Sequence, residues 1–364
     1  MKTVTRGELL ALKRTQLKRH NESRRALQKN PFLETLFLEM TLRCNERCVH
    51  CGSSCEAVQP SCELSADDFK RLLDKVKEDF ASELPYLAVT GGEPLLRDDF
   101  FEIMAYAKSL GFRWGMTSNG TLITKEVARK LKETGMRTVS ISIDGLPGSH
   151  ERFRRTPGSF ARSMQGVQNL IDEDCFEAVQ VTTVIHKQNI DELDEMYEIF
   201  RDVDIDSWRV INLEPIGRAL EHPELMLEKE DYRRLFAFIR EKRRENIPVL
   251  YGCSHFLGLD YESEVRDYYF LCSAGVYTAS VRSNGDIGAC LDIERRPETT
   301  FGNILTDDFT RVWKEGFQIF RQDFSGNNAT CQTCEWEGFC HGGACHSWDY
   351  DKQEQRVCFR GVLF

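Results

Sequence analysis

Residues 36–51 read LFLEMTLRCNERCVHC. The first half is a short run of apolar residues, the composition of a buried strand. The second half leaves that strand as a polar loop carrying Cys44, Cys48 and Cys51. Three thiolates on a four-iron cubane leave one iron without a protein ligand, free to chelate a small molecule through an amine and a carboxylate. The competing occupant is zinc, whose C-x2-C pairs normally come twice to complete a tetrahedral site. No fourth ligand is obvious nearby, although His50 and Cys55 are candidates. A loop leaving the C-terminal end of a barrel strand is where barrel active sites form. Spacing and placement together favour the iron–sulfur cluster.

The pattern repeats outward from this strand. YLAVTGGEP, RWGMTSNG, TVSISIDG, AVQVTTVIH and SWRVINLEP are further short segments rich in β-branched and aromatic residues. Segments with helical apolar spacing lie between them. Ser65 and Thr124 stand at helix starts, and Gly111 and Gly135 at helix ends. Strands alternating with helices imply parallel βαβ units with right-handed crossovers. Six such units fall short of the eight that close a barrel, so the reading is α/β: a partial (β/α)6 TIM barrel followed by a small cysteine-rich α+β domain. The boundaries fall at residues 1–31 for a basic helical extension, 32–246 for the barrel and 247–364 for the cysteine-rich domain. Within the last, VYTASVRSNGDIGACLDI reads as a hairpin, with Asn284-Gly285 offering the residues of a type I′ turn.

The chain has 364 residues, 14 cysteines and a net charge of −10. No apolar run approaches a membrane span and the N-terminus lacks a signal-peptide core, so the expected compartment is the cytoplasm. Disulfides are disfavoured there, and clustered cysteines then point to metal. Cys175, Cys55 and Cys62 are compatible with ordinary small apolar packing. The negative charge argues against nucleic-acid binding. Residues 1–30 nevertheless carry nine Lys/Arg against two Glu, on a segment with leucines at positions 9, 10, 12, 17 and 27. That pattern is an amphipathic helix, either packed on the barrel or available to an acidic peptide or a membrane surface.

The C-x3-C-x2-C loop after the first strand resembles the radical S-adenosylmethionine (SAM) superfamily. Thr90-Gly91-Gly92-Glu93-Pro94 is similar to that family's GGEP motif, which receives the SAM amino group, and glycines there permit close backbone approach. The resemblance assigns Ser118, Asn119, Ser142 and Asp144 to the ribose and carboxylate of SAM. It gives Arg154, with Arg155 as the neighbour that could replace it, to the SAM carboxylate, and His50 to the adenine. The implied chemistry is reductive cleavage of SAM to a 5′-deoxyadenosyl radical that abstracts hydrogen, with an electron donor such as flavodoxin or ferredoxin.

Cys272, Cys290, Cys331, Cys334, Cys340, Cys345 and Cys358 resemble the SPASM extension of such proteins, which binds auxiliary 4Fe–4S clusters. A zinc ribbon is the alternative for Cys331, Cys334, Cys340 and Cys345. The family pattern gives Cys331, Cys334, Cys340 and Cys358 to one cluster, and Cys272, Cys290 and Cys345 to another, with Cys253 a distant candidate fourth ligand. His341–Ala344 puts four residues before Cys345 where the family has three. Asp292 is a candidate general base, one residue later than the Asp of sulfatase-maturing relatives. The resemblance implies a peptide or protein substrate. Oxidation or decarboxylation of a small molecule in haem, sugar or cofactor biosynthesis, formylglycine formation, and a non-enzymatic electron carrier are the alternatives.

Overall fold

The computed structural model describes residues 6–55 and 62–364. Each expected strand forms where the β-branched and aromatic residues cluster: β1 (Thr35–Glu39), β2 (Tyr86–Thr90), β3 (Trp114–Ser118), β4 (Met136–Ser142), β5 (Ala178–Ile185) and β6 (Ser207–Asn212). They pair in parallel and in chain order. Helices α2 (Ala66–Asp79), α3 (Phe100–Ser109), α4 (Lys125–Glu133), α5 (Pro147–Arg154), α6 (Ser159–Ile171) and α7 (Leu193–Arg201) connect them. The helix boundaries follow capping chemistry. Ser65 Oγ accepts from Asp68 N at 3.2 Å while the Asp68 carboxylate accepts from Ser65 N at 2.8 Å. Thr124 caps α4, and Gly111 and Gly135 end their helices at φ of 91° and 82°.

The sheet is larger than the six-strand reading. Val249–Tyr251 (β7) adds in parallel beside β6, and Thr278–Val281 (β8) adds in parallel beside β1. Ile287–Gly288 (β9) completes nine strands as the antiparallel partner of β8. The boundary drawn at 246/247 therefore falls just before a strand of the same sheet, and the cysteine-rich segment contributes three strands to it. The β8–β9 connection is not a type I′ turn. That turn needs left-handed backbone at both central residues, whereas Gly285 is at φ 92° and Asn284 is not left-handed. Asn284 instead accepts from Asp286 N through its side chain at 3.1 Å.

The sheet's outer face packs on the helices through Leu73, Phe69, Phe100, Met104 and Trp114, all fully buried. Each such side chain contributes about 1.5–3 kcal/mol. The inner face is polar: Tyr86 Oη bonds Thr138 Oγ1 at 2.8 Å and Gln180 bonds Ser207 at 2.7 Å. A cavity of about 430 Å³ runs along it.

The N-terminal helix α1 (Arg6–Lys29) docks on the cysteine-rich segment rather than on the barrel. Leu17 is buried with Phe256, Leu259, Phe270 and Ala344. Lys13 pairs with Glu264 at 2.9 Å and Arg24 with Asp323 at 2.9 Å. Two of the basic side chains of this helix are thus paired with carboxylates of the cysteine-rich segment.

Candidate active site

Parallel strands deliver their C-terminal ends to one rim, and the sequence-singled residues collect there. A cavity of about 210 Å³ is lined by Cys44, Cys48 and Cys51 from the loop after β1, and by Gly91 and Gly92 after β2. Ser118, Asn119, Ser142 and Arg154 line its other walls. His50 and Asp292 line it as well.

The glycines of the β2 loop are explained by the cysteine loop itself. A Cβ on Gly91 would lie 2.5 Å from Thr41 O, and one on Gly92 would lie 2.1 Å from Arg43 O. Gly92 N and Glu93 N donate to those same carbonyls at 2.7 and 2.8 Å. Close backbone approach is required, as expected, but the partner is the backbone leading into Cys44. Glu93 is fully buried and turned away from the cavity. Its carboxylate accepts from Ser118 Oγ at 2.9 Å and Asn119 N at 2.9 Å, and burial raises its pKa to about 7. Asn119 in turn donates to Asn45 Oδ1 at 2.7 Å, tying β3 to the cysteine loop.

Arg154, not Arg155, faces the site. Helix α5 brings Arg154 inward, while Arg155 is the left-handed C-cap at φ 53°. Arg154 donates to Asp144 Oδ2 at 2.8 Å and to Glu46 Oε2 at 2.7 Å, all three side chains being buried. Asp144 also accepts from Val184 N at 2.9 Å, so it positions Arg154 rather than lining the cavity. Despite burial, the Arg154 charge and the neighbouring His50 and His150 hold the Asp144 carboxyl down at about 2. His50 stacks on Phe153 at 4.3 Å, and Phe153 stacks on His186 at 3.9 Å. Burial keeps the His50 imidazole neutral, with its pKa at about 4.

The segment after β6 holds the cysteine loop from the opposite side. Gly217, at φ 54°, lies against Cys51 O and Gly52 O, where a Cβ would approach to 2.4 Å. Arg218 donates to Cys48 O at 2.9 Å and to Cys55 O at 2.8 Å. The sequence reading passed over Arg218 and Glu46, whose only cue was charge beside the cysteines and beside a loop glycine.

A second cavity, of about 440 Å³, lies between the barrel mouth and the cysteine-rich segment. Cys253, Cys272 and Cys290 line it, and Asp292 and His50 line both cavities. Cys345 N donates to Cys272 Sγ at 3.4 Å, and a hydrogen bond from the Cys345 thiol lowers Cys272 to about 6. Cys331, Cys334, Cys340 and Cys358 form a separate group: burial and the neighbouring Cys358 and Cys334 push Cys331 up to about 11. The extra residue before Cys345 is absorbed by successive left-handed positions at His341, Gly342 and Gly343. His341 there bridges Asp323 at 3.1 Å and Asn21 of α1 at 2.9 Å. Cys175 and Cys62 are exposed, while Cys55 is buried beside Cys51.

Thiols gathered in these groups are the soft donor sets that iron–sulfur clusters use. The cavity beside the first group is walled by glycine backbone, amide and guanidinium. The residues present therefore fit a cluster with a polar small molecule beside it. The model of the radical SAM superfamily matches residues 38–200, and that of an iron–sulfur cluster-binding domain, SPASM, matches residues 272–335. The chain belongs to the radical SAM family and carries a SPASM domain. It is an enzyme class that uses a 4Fe–4S cluster, SAM and auxiliary clusters. It is 29% identical to an AdoMet-dependent heme synthase of Methanosarcina barkeri, over 88% of this chain and 95% of that protein. It is 31% identical to the mycofactocin maturase MftC of Mycolicibacterium smegmatis, over 84% of this chain and 76% of that one. Among solved structures, SuiB of Streptococcus suis shares the fold with a TM-score of 0.68 at 20% identity, covering 86% of this chain and 73% of that one. Among the described residues, no helix is long and apolar enough to cross a membrane.

Proposed function

We propose that the chain abstracts hydrogen from a carboxylate-bearing substrate, in the first instance a peptide, held in the 440 Å³ cavity. Cys44, Cys48 and Cys51 hold the SAM-binding cluster in this reading. Gly91, Gly92, Ser142 and Arg154 bind SAM, Ser118 and Asn119 fix the wall through Glu93, and Asp144 positions Arg154. Cys331, Cys334, Cys340 and Cys358 hold one auxiliary cluster, and Cys272, Cys290 and Cys345 the other, with Cys253 at hand. When bound, the cluster and SAM supply a 5′-deoxyadenosyl radical that removes hydrogen from an unactivated carbon.

The observation that carries the substrate reading is Arg209. Its stem passes Gly252, where a Cβ would come within 2.7 Å, and its side chain lines both the 440 Å³ cavity and the barrel interior. Its Nε is buried with no hydrogen-bond partner among the described residues. A buried Nε–H without an acceptor costs stability unless one is supplied, and a carboxylate can accept from it and from the neighbouring guanidinium N–H together. Asp292 lines both cavities, which supports it as the base that takes a proton from the substrate. A flavodoxin or ferredoxin delivers the priming electron in this account.

A peptide C-terminus and an acidic side chain both fit, and similarity to the mycofactocin maturase supports a peptide. A tetrapyrrole also carries carboxylates, and the nearly full-length match to the heme synthase supports that second reading. The test is an anaerobic assay against short peptides encoded beside the gene and against iron coproporphyrin, read by mass spectrometry. A mass change in a peptide alone supports the first reading, and in the porphyrin alone the second. On the active substrate, Arg209→Gln should raise KM on the order of 10-fold or more while leaving substrate-free SAM cleavage unchanged. An unchanged KM removes Arg209 as the anchor.

A further inference from the structure

Three side chains outside the cysteine groups converge on the wall of the larger cavity. Glu214 follows β6, His255 follows β7, and His346 adjoins Cys345. One ligating atom of each lies within 4.8 Å of the others. His255 Nε2 stands 2.6 Å from Glu214 Oε1, and the two imidazole rings are 5.6 Å apart and inclined at 64°. Glu214 and His346 line the cavity directly.

The structure assigns these three residues, we propose, to a mononuclear divalent metal site of the zinc or ferrous class. A glutamate–histidine hydrogen bond accounts for two of the groups. It leaves Glu214 Oε2 buried with no partner among the described residues, on a side chain only 9% exposed, and leaves His346 joined to the pair only by a ring contact with His255. A cation satisfies that oxygen and both imidazoles together. Two histidines and a carboxylate form a donor set that zinc and ferrous iron share, and three protein ligands leave positions open.

The carboxylate is also oriented from behind, as ligand carboxylates are. Asn212 Nδ2 donates to Glu214 Oε1 at 2.7 Å, and Tyr251 Oη donates to Asn212 Oδ1 at 2.5 Å. Both supports are buried. His255 is fixed through its backbone, since its carbonyl accepts from Arg266 at 2.5 Å. Glu214 and His346 line the same cavity as Arg209, so a metal held by them would be reached from it. A substrate carboxylate or carbonyl entering there would meet the metal as a Lewis acid. The site stands independently of which substrate the enzyme uses.

The test uses the holoenzyme with its clusters rebuilt anaerobically and loose metal removed by a chelator. Zn²⁺ is then titrated in competition with a chromophoric zinc indicator, and iron per chain is measured in parallel. One tight zinc per chain is expected. Glu214→Gln, His255→Ala and His346→Ala should each weaken it by at least about 100-fold, since even supporting residues of metal sites are worth 10–100-fold. Iron content and visible cluster absorbance should stay at wild-type levels. Glu214→Gln keeps the side-chain volume, so its folding can be checked by circular dichroism. No zinc uptake by the wild type, or equal uptake by all variants, overturns the assignment. So does loss of iron in His346→Ala, which would make His346 a ligand of the neighbouring cluster instead.

Discussion

Arg154 and Asp144 form a buried ion pair at 2.8 Å, and the arginine's remaining reach goes to Glu46 in the cysteine loop at 2.7 Å. The strand β4 end, helix α5 and the cysteine loop are therefore fastened by one guanidinium. The Asp144 carboxyl, held at about 2 rather than 3.8, contributes about 2 kcal/mol of stability. Because the folded-state value is depressed, that contribution is complete above pH 4 and is lost as pH falls through about 2. At neutral pH, Asp144→Asn should lower stability by about 3–5 kcal/mol in denaturant titration, the usual cost of removing one partner of a buried ion pair, with a loss of SAM affinity by equilibrium binding. Unchanged SAM affinity would separate Asp144 from the site.

Gly92→Ala places a methyl group 2.1 Å from Arg43 O, against backbone that cannot swing aside. The cost should be about 1–3 kcal/mol, and the displaced segment is the one that carries Cys44. The expected result is an enzyme folded by circular dichroism whose iron content falls by about the share of one cluster. Full iron content would show that the β2 loop can yield without moving Cys44.

Arg218→Ala removes the donor to two carbonyls of the cysteine loop, Cys48 O and Cys55 O. Each lost bond to a charged donor is worth about 1.5–3 kcal/mol. The SAM-binding cluster should then be stripped by a chelator several times faster than in the wild type, while the auxiliary clusters leave at the wild-type rate. Equal acceleration of all clusters would make the effect global rather than local.

Leu17→Ala should destabilise the protein by about 2–5 kcal/mol, the usual cost of an emptied leucine site. Since α1 packs on Phe256, Phe270 and Ala344, the auxiliary clusters should become more sensitive to chelator than the first one. An isolated loss of substrate binding, with stability unchanged, would instead return α1 to the role of a substrate-contacting helix.

The fold was readable where each strand was long enough to carry its own pattern, as in β4 to β6, and where Ser65, Thr124, Gly111 and Gly135 punctuated the helices. β7 and β9 are three and two residues long and take their sheet position from tertiary packing, which no local pattern records. The cysteine groups were legible from spacing. Asp144 was assigned to a ligand because sequence gives a residue's strand but not which way a buried carboxylate turns. Arg209, Glu214, His255 and His346 were not legible as a set, because strand ends far apart in the chain meet only at the rim.

The most direct test of the account is isotope transfer. The substrate identified by mass spectrometry, deuterated at the carbon that changes, is turned over anaerobically and the 5′-deoxyadenosine is isolated. Deuterium is expected in its 5′-methyl group, in proportion to product, and no 5′-deoxyadenosine at all from Cys44→Ala. Product formed with unlabelled 5′-deoxyadenosine, or with none, would contradict direct hydrogen abstraction by this chain.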